Sequence, residues 1–475
     1  MAEDNNDNDR LITETGESYK DRVAVIDKKG NRVWVYPHKP EMGRFQKWRL
    51  IVGYLILAVF FITPFIHVNG QPYFLIDLVN RKFIFFGTVW YPHDFYIFAI
   101  GLLSIAIFVV LFTAILGRLF CGWACPQTVF MELVYRKIEY WIEGNAPKQR
   151  ALDRSASSSE KIFKKTAKHT LFILIALLIN YFVFSYFTGI DKMTEMVFER
   201  FGDHFGVNIA WIIISFAFYL NYSWFREQAC TFVCPYGRLQ SVLLDENSLI
   251  VAYDEPRGEP RGKMEKGGIA EGNGDCIDCG ACVRVCPTGI DIRNGLQMEC
   301  VNCTNCIDSC DEIMDKIKRP RGLIKYTSIN SIEKQEKFRF TTRLVFYSLL
   351  LLALISLFGV MLAMRSDVEA NILRARGSTH FVNENGNVAN VFTYKLINKT
   401  FNRFYLQMKT PNYSGKFNYI GKDSLILKPE GMLEGTFLLE IPKSELESAK
   451  NEIDIGIYSN GKLIDEIETM FSAPD

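Results

Sequence analysis

The chain has 475 residues, 49% hydrophobic and 14% aromatic, and its 54 basic and 53 acidic residues leave a net charge of +1. A chain this apolar is not intrinsically disordered, and its balanced charge argues against a nucleic-acid partner. All 12 cysteines fall between Cys121 and Cys310, which excludes a disulfide-stapled secreted fold.

Residues 1–48 read as an N-terminal segment. Positions 1–22 are acidic, Asn-rich and expected to be disordered, and 22–36 reads as a small hairpin around Gly30-Asn31. Residues 49–235 read as a four-helix membrane core. Leu50–Ile76, Phe95–Gly117, His169–Ile190 and His204–Phe225 carry no Asp, Glu, Lys or Arg, and Leu344–Met364 is a fifth such window. Each is long enough for the about 20 apolar residues that cross a bilayer. The second window runs into Cys121-Gly-Trp-Ala-Cys125-Pro126, and the fourth is followed by Cys230-Thr-Phe-Val-Cys234-Pro235. The two helix pairs read as a parallel repeat. A spacing of four is expected to put both thiols of a pair on one helix face. Cys121, Cys125, Cys230 and Cys234 are therefore candidate copper or redox thiols. Three readings stay open: small interfacial hydrophobes, a soft-metal site for Cu(I) or a further iron–sulfur centre, and a redox-active dithiol.

Residues 236–342 carry the clearest chemistry. Asp254–Gly274 is rich in Gly, Pro and charge and reads as a loop or linker. Two runs of C-x2-C-x2-C-x3-C follow, Cys276, Cys279, Cys282 and Cys286, then Cys300, Cys303, Cys306 and Cys310. Three thiolates at this spacing wrap one face of an iron–sulfur cubane, and the chain carries the fourth to the other cluster. The expected ligands of one 4Fe–4S cluster are Cys276, Cys279, Cys282 and Cys310. Those of the second are Cys300, Cys303, Cys306 and Cys286. Structural zinc sites pair cysteines at longer separations.

Residues 343–365 read as a fifth transmembrane helix and 366–475 as an all-β, immunoglobulin-like sandwich. Short alternating strands begin near Arg376, and Asn460-Gly461 marks a hairpin. The fold class is thus a multi-domain membrane protein. It combines a five-helix transmembrane bundle, an inserted α+β dicluster ferredoxin-like segment and the C-terminal sandwich. Lysine and arginine crowd 118–168 and the flanks of the first and fifth helices, while loops 70–94 and 191–203 are poor in them. That asymmetry predicts a cytoplasmic N-terminus, cytoplasmic clusters and a periplasmic C-terminal domain.

Paired C-x3-C-P motifs, a dicluster run between the fourth and fifth helices and a terminal sandwich together resemble one family. It is the cytochrome c oxidase accessory proteins, the CcoG/FixG/RdxA-like polyferredoxin membrane proteins of cbb-type oxidase biogenesis. Tyr36-Pro37, Gly43-Arg44-Phe45 and Arg257-Gly-Glu-Pro-Arg-Gly262 add to the likeness, which covers nearly the whole chain. The resemblance implies a cupric reductase in the bacterial inner membrane, supplying Cu(I) to the oxidase. Its implied partners are the lipid bilayer, a cytoplasmic electron donor, copper ion, and oxidase subunits or copper chaperones, with homo-oligomer formation left open. Quinol-dehydrogenase-like ferredoxin subunits share four helices, the C-x3-C-P pairs and two clusters, but are not expected to carry a fifth helix with an exported sandwich. A non-enzymatic oxidase assembly scaffold is the reading of a different class.

Overall fold

The computed structural model describes residues 32–474 except 41, 69, 79–81, 91–93, 200–201, 265–271, 337–338, 340, 376–379, 384–385, 422–423 and 430. The tail expected at 1–22 and the first strand of the expected hairpin lie outside the described residues, and Val33–Tyr36 is irregular. Five helices are long and apolar enough to cross a membrane: Arg44–Phe65, Phe95–Leu116, Ser159–Thr188, Phe205–Phe225 and Thr342–Ala363. Two of them depart from their charge-free windows. The first closes in a 3-10 turn at Thr63–Phe65 that contains Pro64, and Gly70 then turns the chain with φ 79°. The apolar remainder of that window forms short strands instead. The third starts early because its charged first turns still favour helix, with Glu160 and Lys164 paired one turn apart at 2.5 Å.

The chain divides into two compact units. One holds the described residues up to Ile62, Leu103–Phe184 and Thr194–Ala353; the other holds Thr63–Leu102, Ser185–Met193 and the chain from Leu354 onward.

In the first unit a two-stranded antiparallel ladder, Ile250–Tyr253 with Ile324–Thr327, frames both cysteine runs. Val251, Ile290, Ile292, Ile307, Met314 and Ile324 form the core around them. The loop expected at 254–274 is folded where it is described. Gly262 N–H donates to the Cys276 carbonyl at 3.1 Å, and Arg257 Nε donates to Asp275 at 2.7 Å. Several of the basic residues in and near the lysine- and arginine-rich stretches are also buried or half-buried structural partners. Arg136 meets Glu132 at 2.9 Å, Arg226 meets Glu139 at 2.7 Å, and Lys165 and Lys168 each meet Glu143 at 2.9 Å.

In the second unit two antiparallel sheets enclose one core. Strands 416–420, 432–442, 387–398 and 368–374 are neighbours in one sheet, with 381–382 also pairing to 387–398. Strands 425–427, 404–409, 450–459 and 462–472 form the other. Strand pairing therefore starts at Val368, before Arg376. Phe392, Phe437 and Phe471 are fully buried between the sheets, each contributing about 1.5–3 kcal/mol by burial. Asn460 and Gly461 both take positive φ, 49° and 80°, as a tight hairpin turn requires. A three-stranded sheet, Phe74–Asp77, Lys82–Phe85 and Thr88–Trp90, packs Leu75, Ile84 and Val89 against Phe401. Beside it the buried Asp94 accepts from Lys399 at 2.6 Å and from Arg365 at 2.8 Å. Burial pushes the Asp94 carboxyl up, but the two cations outweigh it and hold it below the usual carboxylate range.

Candidate functional site

The two cysteine runs fold alike. In the first, Asp278 and Gly280 take left-handed backbone at φ 50° and 64°; in the second, Asn302 and Thr304 do so at φ 52° and 64°. Asp, Asn and Gly enter this region readily, whereas a β-branched Thr does not. The buried Thr304 hydroxyl donates to the Cys303 carbonyl at 2.6 Å. Each run then enters a helix, Ala281–Arg284 or Asn305–Lys316.

Around this curl the eight thiols of the two runs line two neighbouring cavities. Cys276, Cys279, Cys282 and Cys310 line one small cavity, walled by Ile313, Met314 and Ile324. Cys300, Cys303, Cys306 and Cys286 line another, walled by Val251, Ile290 and Ile292. Cys282 lines both and so separates them. Burial pushes the Cys303 thiol up to about 11, and the Cys300 and Cys310 thiols up to about 12. Four thiolates in so apolar a place need a compensating cation. Among the described residues no three of these cysteines are grouped so as to hold a single metal ion, as a structural zinc would need. A polynuclear iron–sulfur cluster fits this donor set.

The C-x3-C motifs differ from the expectation of one helix face. Cys121 lies in the short helix Leu119–Trp123, but Cys125 is extended and caps the next helix, which begins at Pro126. Cys234 likewise is extended and caps the helix that begins at Pro235, while Cys230 lies in the π-helical turn Ala229–Val233. Proline disfavours helical backbone in the residue before it, so each pair spans a helix break. The repeat survives in the backbone. Cys125 N–H bonds to the Phe120 carbonyl at 2.8 Å, and Cys234 N–H to the Ala229 carbonyl at 2.9 Å. The four thiols are partly buried, and each lies within electrostatic range of others in the set. Burial first, then the neighbouring thiols, push Cys121 up to about 11 and Cys230 up to about 12. The Cys121 thiol donates to the buried Gln240 at 3.1 Å.

Gly122, inside the first motif, sits directly on the second cysteine run. A Cβ there would lie 2.5 Å from the Val301 carbonyl oxygen and 2.9 Å from both N and Cα of Cys303. Arg49, only 4% exposed, donates to the Gly122 carbonyl at 2.9 Å and to Asn305 at 3.1 Å. Arg118 donates to the carbonyls of Met298 and Gly237, joining the first motif's helix end to the second run and to the second motif. At the other cavity Arg293 is held by Asp291 at 2.7 and 2.9 Å and by Asp278 at 2.5 Å. None of Arg49, Arg118, Gly122, Gln240 and Arg293 stood out in the sequence. Arg49 and Arg118 merge with the basic stretches there, and a single arginine, glutamine or glycine elsewhere carries no periodic signal.

Replacing Gly122 with Ala should cost about 1–3 kcal/mol, because the methyl meets backbone that cannot rotate aside. Gly206 meets nothing within 4 Å and serves as a control. In detergent, Gly122→Ala should melt below the parent protein while Gly206→Ala does not. Equal melting temperatures for all three would exclude the close approach.

Comparison with known proteins agrees with this organisation. The family described as "4Fe-4S dicluster domain" matches residues 225–329, and "4Fe-4S binding domain" matches 98–148. The family for the IG-like fold at the C-terminal of FixG matches 358–474. The nitrogen fixation protein FixG of Rhizobium meliloti is 38% identical over 330 residues, covering 68% of this chain and 62% of FixG. Protein RdxA of Cereibacter sphaeroides is 39% identical over 296 residues, covering 60% of this chain and 61% of RdxA. The aligned regions thus span less than two thirds of FixG and of RdxA. Protein RdxB of the same organism is 35% identical over 404 residues, covering 82% of each chain. With that coverage, its 4Fe–4S domains and its FixG-type C-terminal fold, the chain belongs to the FixG/RdxA/RdxB family.

Proposed function

We propose that the chain is a membrane-bound iron–sulfur electron carrier that passes single electrons to Cu(II) at Cys121, Cys125, Cys230 and Cys234. The observation that carries this reading is the backbone contact of Gly122 with Val301 and Cys303. It joins the second cysteine cavity to the C-x3-C thiols without an intervening side chain. Cys276, Cys279, Cys282 and Cys310 hold one cluster, and Cys300, Cys303, Cys306 and Cys286 hold the other. Such clusters, when bound, store one electron each at potentials that reach about −400 mV in ferredoxins. The apolar walls keep water from the sulfurs, and the buried arginines offset the thiolate charge. The electron comes from a low-potential one-electron donor and converts Cu(II) to Cu(I) with no proton moved. Soft thiolates favour the Cu(I) product.

The lysine and arginine asymmetry supports a cytoplasmic N-terminus and cytoplasmic cysteine runs, with the C-terminal domain in the periplasm. All 12 cysteines belong to the first compact unit, which favours copper reduction on the cytoplasmic side or within the membrane. The cysteine-free FixG-type domain would then dock oxidase subunits or copper chaperones during cbb-type oxidase biogenesis. That domain and the fifth helix favour this role over a quinol-dehydrogenase-like ferredoxin subunit. A second reading has its own support. Residues 98–148 contain two cysteines, Cys121 and Cys125, yet match a 4Fe–4S binding family, so the four C-x3-C thiols could hold a third cluster instead of copper.

A reporter fused after residue 474 should be active outside the cytoplasm and one inserted near Ser157 inside it; the opposite pattern would reverse the proposed direction. Cys286→Ala should remove the EPR signal of the centre held by Cys300, Cys303 and Cys306 and spare the other. Loss confined to the first-run centre would refute the crossed ligation. Replacing Cys121, Cys125, Cys230 and Cys234 together with Ser should abolish copper reduction while about eight irons per chain remain. A fall from about twelve irons to eight would select the third-cluster reading, and unchanged copper reduction would exclude these thiols from the chemistry.

A further inference from the structure

The two cysteine cavities differ in the balance of fixed charge around them. Beside the first, Arg293 is the buried cation, and it is matched by two carboxylates, Asp291 and Asp278. A third, Asp311, acts on Cys310. Beside the second, the Arg49 charge acts on Cys303 and the Arg118 charge on Cys300. Neither arginine forms an ion pair with a carboxylate among the described residues; their hydrogen-bond acceptors are the Gly122, Met298 and Gly237 carbonyls and the Asn305 amide. Glu132, the carboxylate that Cys303 feels, is matched by Arg136 at 2.9 Å. The buried guanidinium at the first cavity is thus matched by carboxylates, whereas the two buried guanidiniums at the second are not.

A second observation points the same way. Arg49 Nη2 and Arg118 Nε are buried without a hydrogen-bond partner. A buried guanidinium N–H left unpaired is costly, and a cluster sulfur in the adjacent cavity is an acceptor that would satisfy it. Positive charge and N–H donors both stabilise the reduced state of an iron–sulfur centre.

We infer that Arg49 and Arg118 make the centre at Cys286, Cys300, Cys303 and Cys306 the more readily reduced of the two, and so direct electrons toward Gly122 and the C-x3-C thiols. The inference rests on the ligand sets proposed above. One electron leaves the first centre and enters the second, so the step needs no other reactant. An electron shared between the two should favour the second by at least about tenfold, which is about 59 mV for a one-electron couple.

The test is an EPR-monitored redox titration of the anaerobic full-length protein in detergent. The signal lost in Cys286→Ala and kept in Cys279→Ala identifies the second centre. In the unmodified protein that signal should appear at the higher potential. Arg49→Gln and Arg118→Gln should each lower it, and Arg49→Lys and Arg118→Lys, which keep the charge, should move it less. If the first centre is reduced at the higher potential, the inference is overturned, whatever the variants do. Equal potentials in the Gln variants and the parent would overturn the assignment to these arginines. Absence of both signals would instead refute the ligand sets themselves, a separate failure.

Discussion

The architecture of the first unit depends on one close approach, in which the backbone of Gly122 rests on the backbone of Val301 and Cys303. Any side chain at this position would hold the two segments apart. The surrounding hydrogen bonds reinforce the same contact. Arg49 reaches from the first long helix to the Gly122 carbonyl and to Asn305, and Arg118 reaches from the end of the second to Met298 and Gly237. A segment that matches a 4Fe–4S dicluster family is thereby docked onto the ends of long apolar helices. The docked loop is the one that carries three of the four thiols of the second cavity.

Electrostatics explains why the docking elements are arginines. Twelve cysteines in one compact unit, mostly withdrawn from water, make that unit hostile to further negative charge. Burial pushes the Cys121, Cys230, Cys300, Cys303 and Cys310 thiols up, and deprotonated ligands require cations nearby or a metal among them. Guanidinium groups suit this place because they stay charged when buried and present several N–H donors in fixed directions. Arg49 and Arg118 use some of those donors on backbone carbonyls and leave Arg49 Nη2 and Arg118 Nε buried without a partner. The same residues therefore hold the segments together and set the charge around the second cavity.

Much of this was legible in the sequence, and the remainder was hidden for identifiable reasons. The double cysteine run pointed to two 4Fe–4S domains, because its spacing is a property of the cubane rather than of the surrounding fold. The five apolar windows located the long helices, since hydrocarbon thickness sets their length. Window edges were less informative: absence of charge does not distinguish helix from the strands after Phe65, where Pro64 and Gly70 redirect the chain. The spacing of Cys121 and Cys125 implied a shared helix face, but the proline after each motif breaks the helix between its cysteines. Arg49 and Arg118 were indistinguishable from orientation signals, because charge counting does not reveal whether a side chain faces headgroups or folds back onto a neighbouring loop. The network around Arg136, Glu139 and Lys168 was hidden in the same way.

The most direct test of the electron route mixes anaerobic, dithionite-reduced protein, freed of excess reductant, with one equivalent of Cu(II) and follows both metals by rapid-freeze EPR. A route through the second cavity to the C-x3-C thiols predicts that the Cu(II) signal and one reduced-cluster signal disappear together, one electron for each copper. Persistence of the Cu(II) signal beside fully reduced clusters would contradict that route.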